Sequence, residues 1–254
     1  MTFIPRKWSL TLKVIPIVLA VVLLKLVFHY YGWEIISLNL LFSGLIAAVV
    51  FLIGFLISGV LVDYKEGEKL PGEMAASLEA INDEVSIIYK NKKAKEAKEC
   101  LGYIITFNQS VLDWFRKKEK TRNIVAKITG FNDYFIAFEP LTQANFIVRM
   151  KQEQSNLRRI VTRVHTIRET SFVSSGYAIA EITTALLVIG LLLARIDPFH
   201  ESLFFVGIIT FLLVYMLLLI SDLDNPFQYY GNDGGEEVSL KPLDDLLLRL
   251  QGAK

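Results

Sequence analysis

The chain has 254 residues, 53% of them hydrophobic, and 27 Lys and Arg against 26 Asp and Glu leave a formal charge of +1. That balance excludes the basic footprint of a nucleic-acid binder, so no nucleic-acid partner is expected, and equally the acidic excess of a disordered, solvating chain. The single cysteine, Cys100, leaves no internal disulfide to form.

Arg6 and Lys7 precede an apolar stretch running from about Leu10 to Tyr31. It lacks an A-x-A cleavage site, so an uncleaved signal anchor is expected. Roughly 20 apolar residues suffice to cross a bilayer, and four segments meet or approach that length: Leu10–Tyr31, Ile36–Val62, Tyr177–Ala194 and Leu203–Ser221. Lys13 in the first can snorkel to the interface. Lys25 needs a partner, a wet surface or proximity to an interface. Glu181 raises the same question near the start of the third span. The turn Ile196–Ser202 closes the last two into a hairpin.

The expected organisation is an N-terminal membrane hairpin over 1–62, a helical region over 63–176, a second membrane hairpin over 177–221 and a tail over 222–254. The stretch from Asp63 to Gly176 carries 19 of the 27 basic residues, while the short connections on the opposite side carry only Arg195. The positive-inside rule therefore places both termini and the long central region in the cytoplasm of a multi-pass cell-membrane protein, with the lipid bilayer as a partner.

Within the central region, Gly72–Lys90 alternates apolar and polar residues at helical spacing. Leu101, Ile104, Ile105, Val111, Leu112 and Phe115 predict a second helix, broken near Gly130 and capped by Asn132 or Asp133. A third starts near Pro140, carries Leu157, Ile160, Val164 and Ile167, and runs on towards the third span. Arg158, Arg159 and Arg163 give it a basic face, either solvated surface or the lining of an inner vestibule. No strand alternation of any length is visible. The fold class is all-α, with four membrane helices and a large helical insert between the second and third.

Enzyme signatures fail one by one. Gly54 and Gly59 have the spacing of a phosphate loop, but Val60 and Leu61 stand where Lys and Ser or Thr would grip phosphate and metal. His29, His165 and His200 are far apart in sequence and lack zinc-ligand spacing. No nucleophile elbow occurs. Neither catalytic residues, nor a cofactor, nor a metal is expected.

The second span is more informative. Ala47, Phe51 and Phe55 recur every four residues, and Ser58 and Val62 continue the stripe. Gly54 and Ser58 form a small-xxx-small face that admits close helix neighbours. Periodicity alone leaves lipid contact, bundle packing and a pore lining open.

Three motifs carry a family resemblance. Phe51-Leu-Ile-Gly-Phe55 precedes a polar turn running from Val62 to Pro71; Asp222-Leu-Asp-Asn-Pro-Phe227 follows the fourth span; Leu240-Lys-Pro-Leu-Asp-Asp-Leu246 follows in turn. Together with the four-span layout, they resemble the bestrophins and bestrophin-like membrane proteins of prokaryotic type. Gln228 departs from the family's usual glycine after N-P-F, and Asp63, Tyr64 and Lys65 depart from its residues after the second span.

The resemblance implies a cyclic homo-oligomer, a pentamer, whose second spans line one central pore conducting small inorganic ions. Ala47, Phe51 and Phe55 would form its neck, with Ser58, Val62, Arg158, Arg159 and Arg163 in the pore or vestibule. An apolar neck can gate by dewetting, and positive aromatic ring edges favour anions such as chloride, although prokaryotic relatives can prefer cations. The acidic residues Asp222, Asp224, Asp233, Glu236 and Glu237 supply hard oxygens. Only Asp233 falls at a family side-chain ligand position, and Tyr230 occupies another, so no calcium site is expected. The competing classes are a membrane scaffold or regulatory protein without conduction, and a transporter or membrane enzyme.

Overall fold

The computed structural model describes residues 8–170, 174–229 and 237–252. Helix α1 (Ser9–Tyr30) is apolar around its circumference, and 22 residues at 1.5 Å each span about 33 Å, close to a hydrocarbon core of about 30 Å. Trp8 is exposed at one end, and Tyr30, Tyr31 and Trp33 at the other. Such amphipathic rings belong at membrane–water interfaces. Three further helices are long and apolar enough to cross a membrane: α2 (Leu40–Lys92), α6 (Ser174–Leu193) and α7 (Phe199–Asp224).

The chain divides into two units, and all four of these helices contribute to the first, which takes in residues 1–64 and 171–225. Helix α1 packs along α7 and α6, and α6 packs on α7. Val49, Ile53, Leu56 and Val60 of α2 are buried with Leu187, Leu191, Val206 and Leu213. Gly190 permits one close approach, because a Cβ there would stand 3.0 Å from the Phe42 ring. Outward-facing leucines such as Leu23, Leu186 and Leu212 remain exposed, as lipid contact allows. Ile36–Ser37 (β1) and Ala194–Arg195 (β2) form a two-residue parallel pair.

The second unit takes in residues 65–170, 226–231 and 237–254. It holds the remainder of α2, then α3 (Lys95–Phe115), α4 (Thr121–Phe138), α5 (Ala144–Glu169) and α8 (Lys241–Gly252). Helix α3 packs on α4 and α8, and α4 on α5. Leu78, Ile81, Val85, Ile104, Phe107, Phe131, Val161 and Val164 form its core.

Several boundaries differ from expectation. The second membrane helix starts at Leu40, where the Asn39 carboxamide accepts the Phe42 N–H at 2.9 Å, because Ile36 and Ser37 are taken into the strand pair. No turn separates Val62 from Pro71: α2 continues to Lys92. Pro71 removes one N–H from the helix, but Leu70, Met74, Leu78, Ile81 and Val85 keep burying one face. The predicted break at Gly130 is also absent. Helix α4 runs through it, since the Tyr103 hydroxyl takes the space a Cβ would fill, 2.7 Å away. Asn132 caps no helix; its carboxamide oxygen accepts from Lys151 and Gln154 of α5. The actual breaks follow Lys92 and Phe115, where Lys93 and Lys117 adopt positive φ without a glycine to announce them.

Candidate pore-lining face of α2

Helix α2 has two opposed faces in its apolar half. Phe42, Val49, Ile53, Leu56 and Val60 pack inward. Ala47, Phe51, Phe55, Ser58 and Val62 are all exposed, within an arc of about 80° at 3.6 residues per turn. Phe51 is 77% exposed, Phe55 65% and Val62 68%, so the other helices of the chain leave all three largely uncovered. The Ser58 hydroxyl donates to the Gly54 carbonyl at 3.0 Å and is satisfied within the helix, leaving a mostly apolar stripe.

One turn beyond Val62 the stripe reaches Glu66, also exposed. Arg163 of α5 holds it by a two-point ion pair, with Nε 2.8 Å from Oε1 and a guanidinium nitrogen on Oε2. Glu66 was not singled out from the sequence, though its place four residues after Val62 is the signal that finds it. The three arginines do not form one free basic lining. Arg158 is half-buried and donates to the Thr129 hydroxyl of α4 at 3.2 Å, Arg159 is exposed, and Arg163 is paired.

Lys25 has the partners its position demands. Fully buried, its ammonium lies 2.6 Å from Glu34 Oε1 and donates to the carbonyls of Leu192 (3.2 Å) and Ala194 (2.5 Å). It thereby satisfies the carboxyl end of α6, where the helix dipole favours a cation. His29 Nδ1 lies 2.8 Å from Glu34 Oε2, and its ring stacks on Phe199 with centroids 3.7 Å apart. Burial pushes the Glu34 carboxyl up, but contact with Lys25 and the hydrogen bond with His29 outweigh it and hold the group below the usual carboxylate range. Glu181, by contrast, is exposed on α6 and lines a cavity of about 100 Å³ with Tyr177, Ser221 and Asp224.

The acidic corner divides in two. Asp224 accepts the Tyr177 hydroxyl at 2.6 Å, tying α7 to α6. Phe227, fully buried in the second unit, sits against Gly67 and Phe115 and under the Arg168 guanidinium. Arg168 also covers Trp114 and Phe115, and donates to their carbonyls at the end of α3. Burial lowers its pKa to about 10, so it stays charged at neutral pH. Tyr230, Asp233 and Glu236 lie outside the described residues.

No protein-family model matches the sequence, and no curated protein does. Solved structures do. A crystal structure of a bacterial bestrophin homologue from Klebsiella pneumoniae, carrying one substitution, aligns with a TM-score of 0.76 at 18% identity, over 94% of this chain and 99% of that one. A second determination of the Klebsiella pneumoniae homologue gives 0.75 at 17%, over 92% and 97%. A crystal structure described only as a membrane protein gives 0.80 at 16%, over 94% and 98%. This chain is an all-α membrane protein with the fold of the bacterial bestrophin homologues.

Proposed function

We propose that the chain is the subunit of an oligomeric ion channel, a homopentamer, in which α2 of every copy faces one central axis. The observation that carries this reading is the stripe of Ala47, Phe51, Phe55, Ser58 and Val62, exposed on the face of α2 opposite its packing face. The bestrophin fold supports it. In a ring, Phe51 and Phe55 stack as two apolar constrictions one helical turn apart, narrow enough to exclude water when closed. Ala47 is the widest ring. Positive ring edges turned to the axis favour an anion such as chloride, and Glu66 with Arg163 stands at the end of the stripe. The membrane is the cell membrane, with both termini on the cytoplasmic side where the basic excess lies.

Ion flux per assembled oligomer in liposomes tests the neck. Phe55→Ala and Phe51→Ala each raise flux if the rings are a dewetting gate. If the phenylalanines only pack, each substitution lowers assembly and leaves flux per oligomer unchanged. Absence of flux in every variant favours a scaffold, and permeation by potassium with chloride excluded reverses the selectivity.

A further inference from the structure

The exposed face of α2 does not end with its apolar stripe. Lys65 and Lys69 each follow Ala47 and Phe51, respectively, by 18 residues, five whole turns at about 3.6 residues per turn, and α2 is unbroken between them. Both lysines are exposed, so they prolong the arc of Ala47, Phe51, Phe55, Ser58 and Val62. Lys65 stands about 15 Å further along the helix than Phe55, and Lys69 about one turn beyond it. Glu66, at the edge of the same arc, is held by Arg163. The next carboxylate on the arc, Glu73, comes about one turn after Lys69.

Like charges four residues apart on one helix repel each other, and no ion pair neutralises either lysine among the described residues. A third cation joins them from another helix. An open cleft of about 860 Å³ in the second unit is lined by Lys65 and Lys69 of α2 and Lys241 of α8, with Glu68 and Asp245 at its rim. Lys241 is likewise exposed and makes no ion pair among the described residues. The cleft therefore carries a net charge of +1 in each copy. Cations gathered on one solvated surface raise the local concentration of anions.

We propose that Lys65 and Lys69 determine which ion the channel admits, their ammonium groups forming two belts around the axis that gather inorganic anions and repel cations. The inference rests on the reading of α2 as the pore helix. A unit charge about 10 Å away across water, screened at physiological salt, changes the local concentration of a monovalent anion about 1.2-fold. Five such charges change it about threefold, and two belts about tenfold. The ring edges of Phe51 and Phe55 carry only partial charge, so the lysines outweigh them in choosing the ion. Lys241 adds to the belts from α8.

The test is the reversal potential of the full chain, reconstituted in planar bilayers under a gradient of potassium chloride. The wild type reverses close to the chloride equilibrium potential. Lys65→Gln with Lys69→Gln lowers the chloride-to-potassium permeability ratio about tenfold. Lys65→Glu with Lys69→Glu lowers it further and turns the preference towards potassium, whereas the paired Arg substitutions keep it. Lys241→Gln alone moves it in the same direction by less. The Gln effect fades at about 1 M salt, where the screening length falls to about 3 Å, a dependence that a purely structural role does not have. The control Lys95→Gln with Lys98→Gln, on α3, leaves the potential in place. A wild type that prefers potassium to chloride overturns this inference and leaves the channel standing, as does a reversal potential that neither the Gln nor the Glu pair moves. Absence of any conductance in the wild type overturns the channel reading and this inference with it.

Discussion

Replacing Lys25 by Met removes the one cation from a buried pair while filling most of its volume. Glu34, whose side chain is only 8% exposed, is left with His29 as partner, and the Leu192 and Ala194 carbonyls lose a donor. Breaking a buried pair from one side costs about 3–5 kcal/mol. For a chain of this size each kcal/mol moves the unfolding midpoint by about 2–4 °C, so Lys25→Met lowers it by about 6–20 °C. Glu34→Gln keeps an acceptor for the ammonium and costs about 1–3 kcal/mol. The double variant leaves neither charge stranded and loses less than the two singles together, by about 1–3 kcal/mol. Thermal unfolding of all four proteins in one detergent supplies the cycle. Strict additivity refutes the pairing.

Acidity gives a related check. Glu34 has a depressed folded pKa, so its contribution is complete above the unfolded carboxylate value of about 4.3 and disappears as pH falls through the lower folded value. The wild-type midpoint therefore drops more steeply than that of Glu34→Gln below about pH 4. Phe227→Ala empties a fully buried site between Gly67, Phe115 and Arg168 and costs about 3–5 kcal/mol, read from unfolding; a cost under about 1 kcal/mol contradicts the plug. Gly130→Ala pushes the Tyr103 hydroxyl off its 2.6 Å bond to the Lys127 carbonyl and costs about 1–3 kcal/mol, despite the gain in helix propensity. Cys100 is buried and its thiol is pushed up to about 12, so maleimide at pH 7.5 labels it only after unfolding.

The membrane layer was legible in the sequence because apolar length is a local property. Three of the four spans occur within a few residues of their expected ends, while α2 starts at Leu40 and runs on to Lys92, well past Val62. Lys25 drew attention as a charge without a local explanation. Its partners did not, because the carbonyls it caps lie 167 and 169 residues away and carbonyls leave no mark in a sequence. Pro71 and Gly130 were misread for a common reason: breaker residues are tolerated where packing holds the helix on both sides. Leu70 and Met74 do so for α2, and Tyr103 fills the gap at Gly130. The stripe from Ala47 to Val62 was legible as a period. Its continuation to Glu66 was hidden by the expected turn, and the pairing of Arg163 with it by 97 residues of separation.

Access of water to the α2 stripe is the most direct test of the channel. In a Cys100→Ser background, Phe55→Cys and Leu212→Cys place one thiol on the stripe and one on the exposed face of α7. Both proteins are reconstituted in liposomes, and ion flux is recorded before and after a charged, membrane-impermeant thiol reagent. The account predicts that the reagent blocks flux through Phe55→Cys and leaves Leu212→Cys unchanged. Equal insensitivity of the two, with flux present and assembly intact, contradicts it.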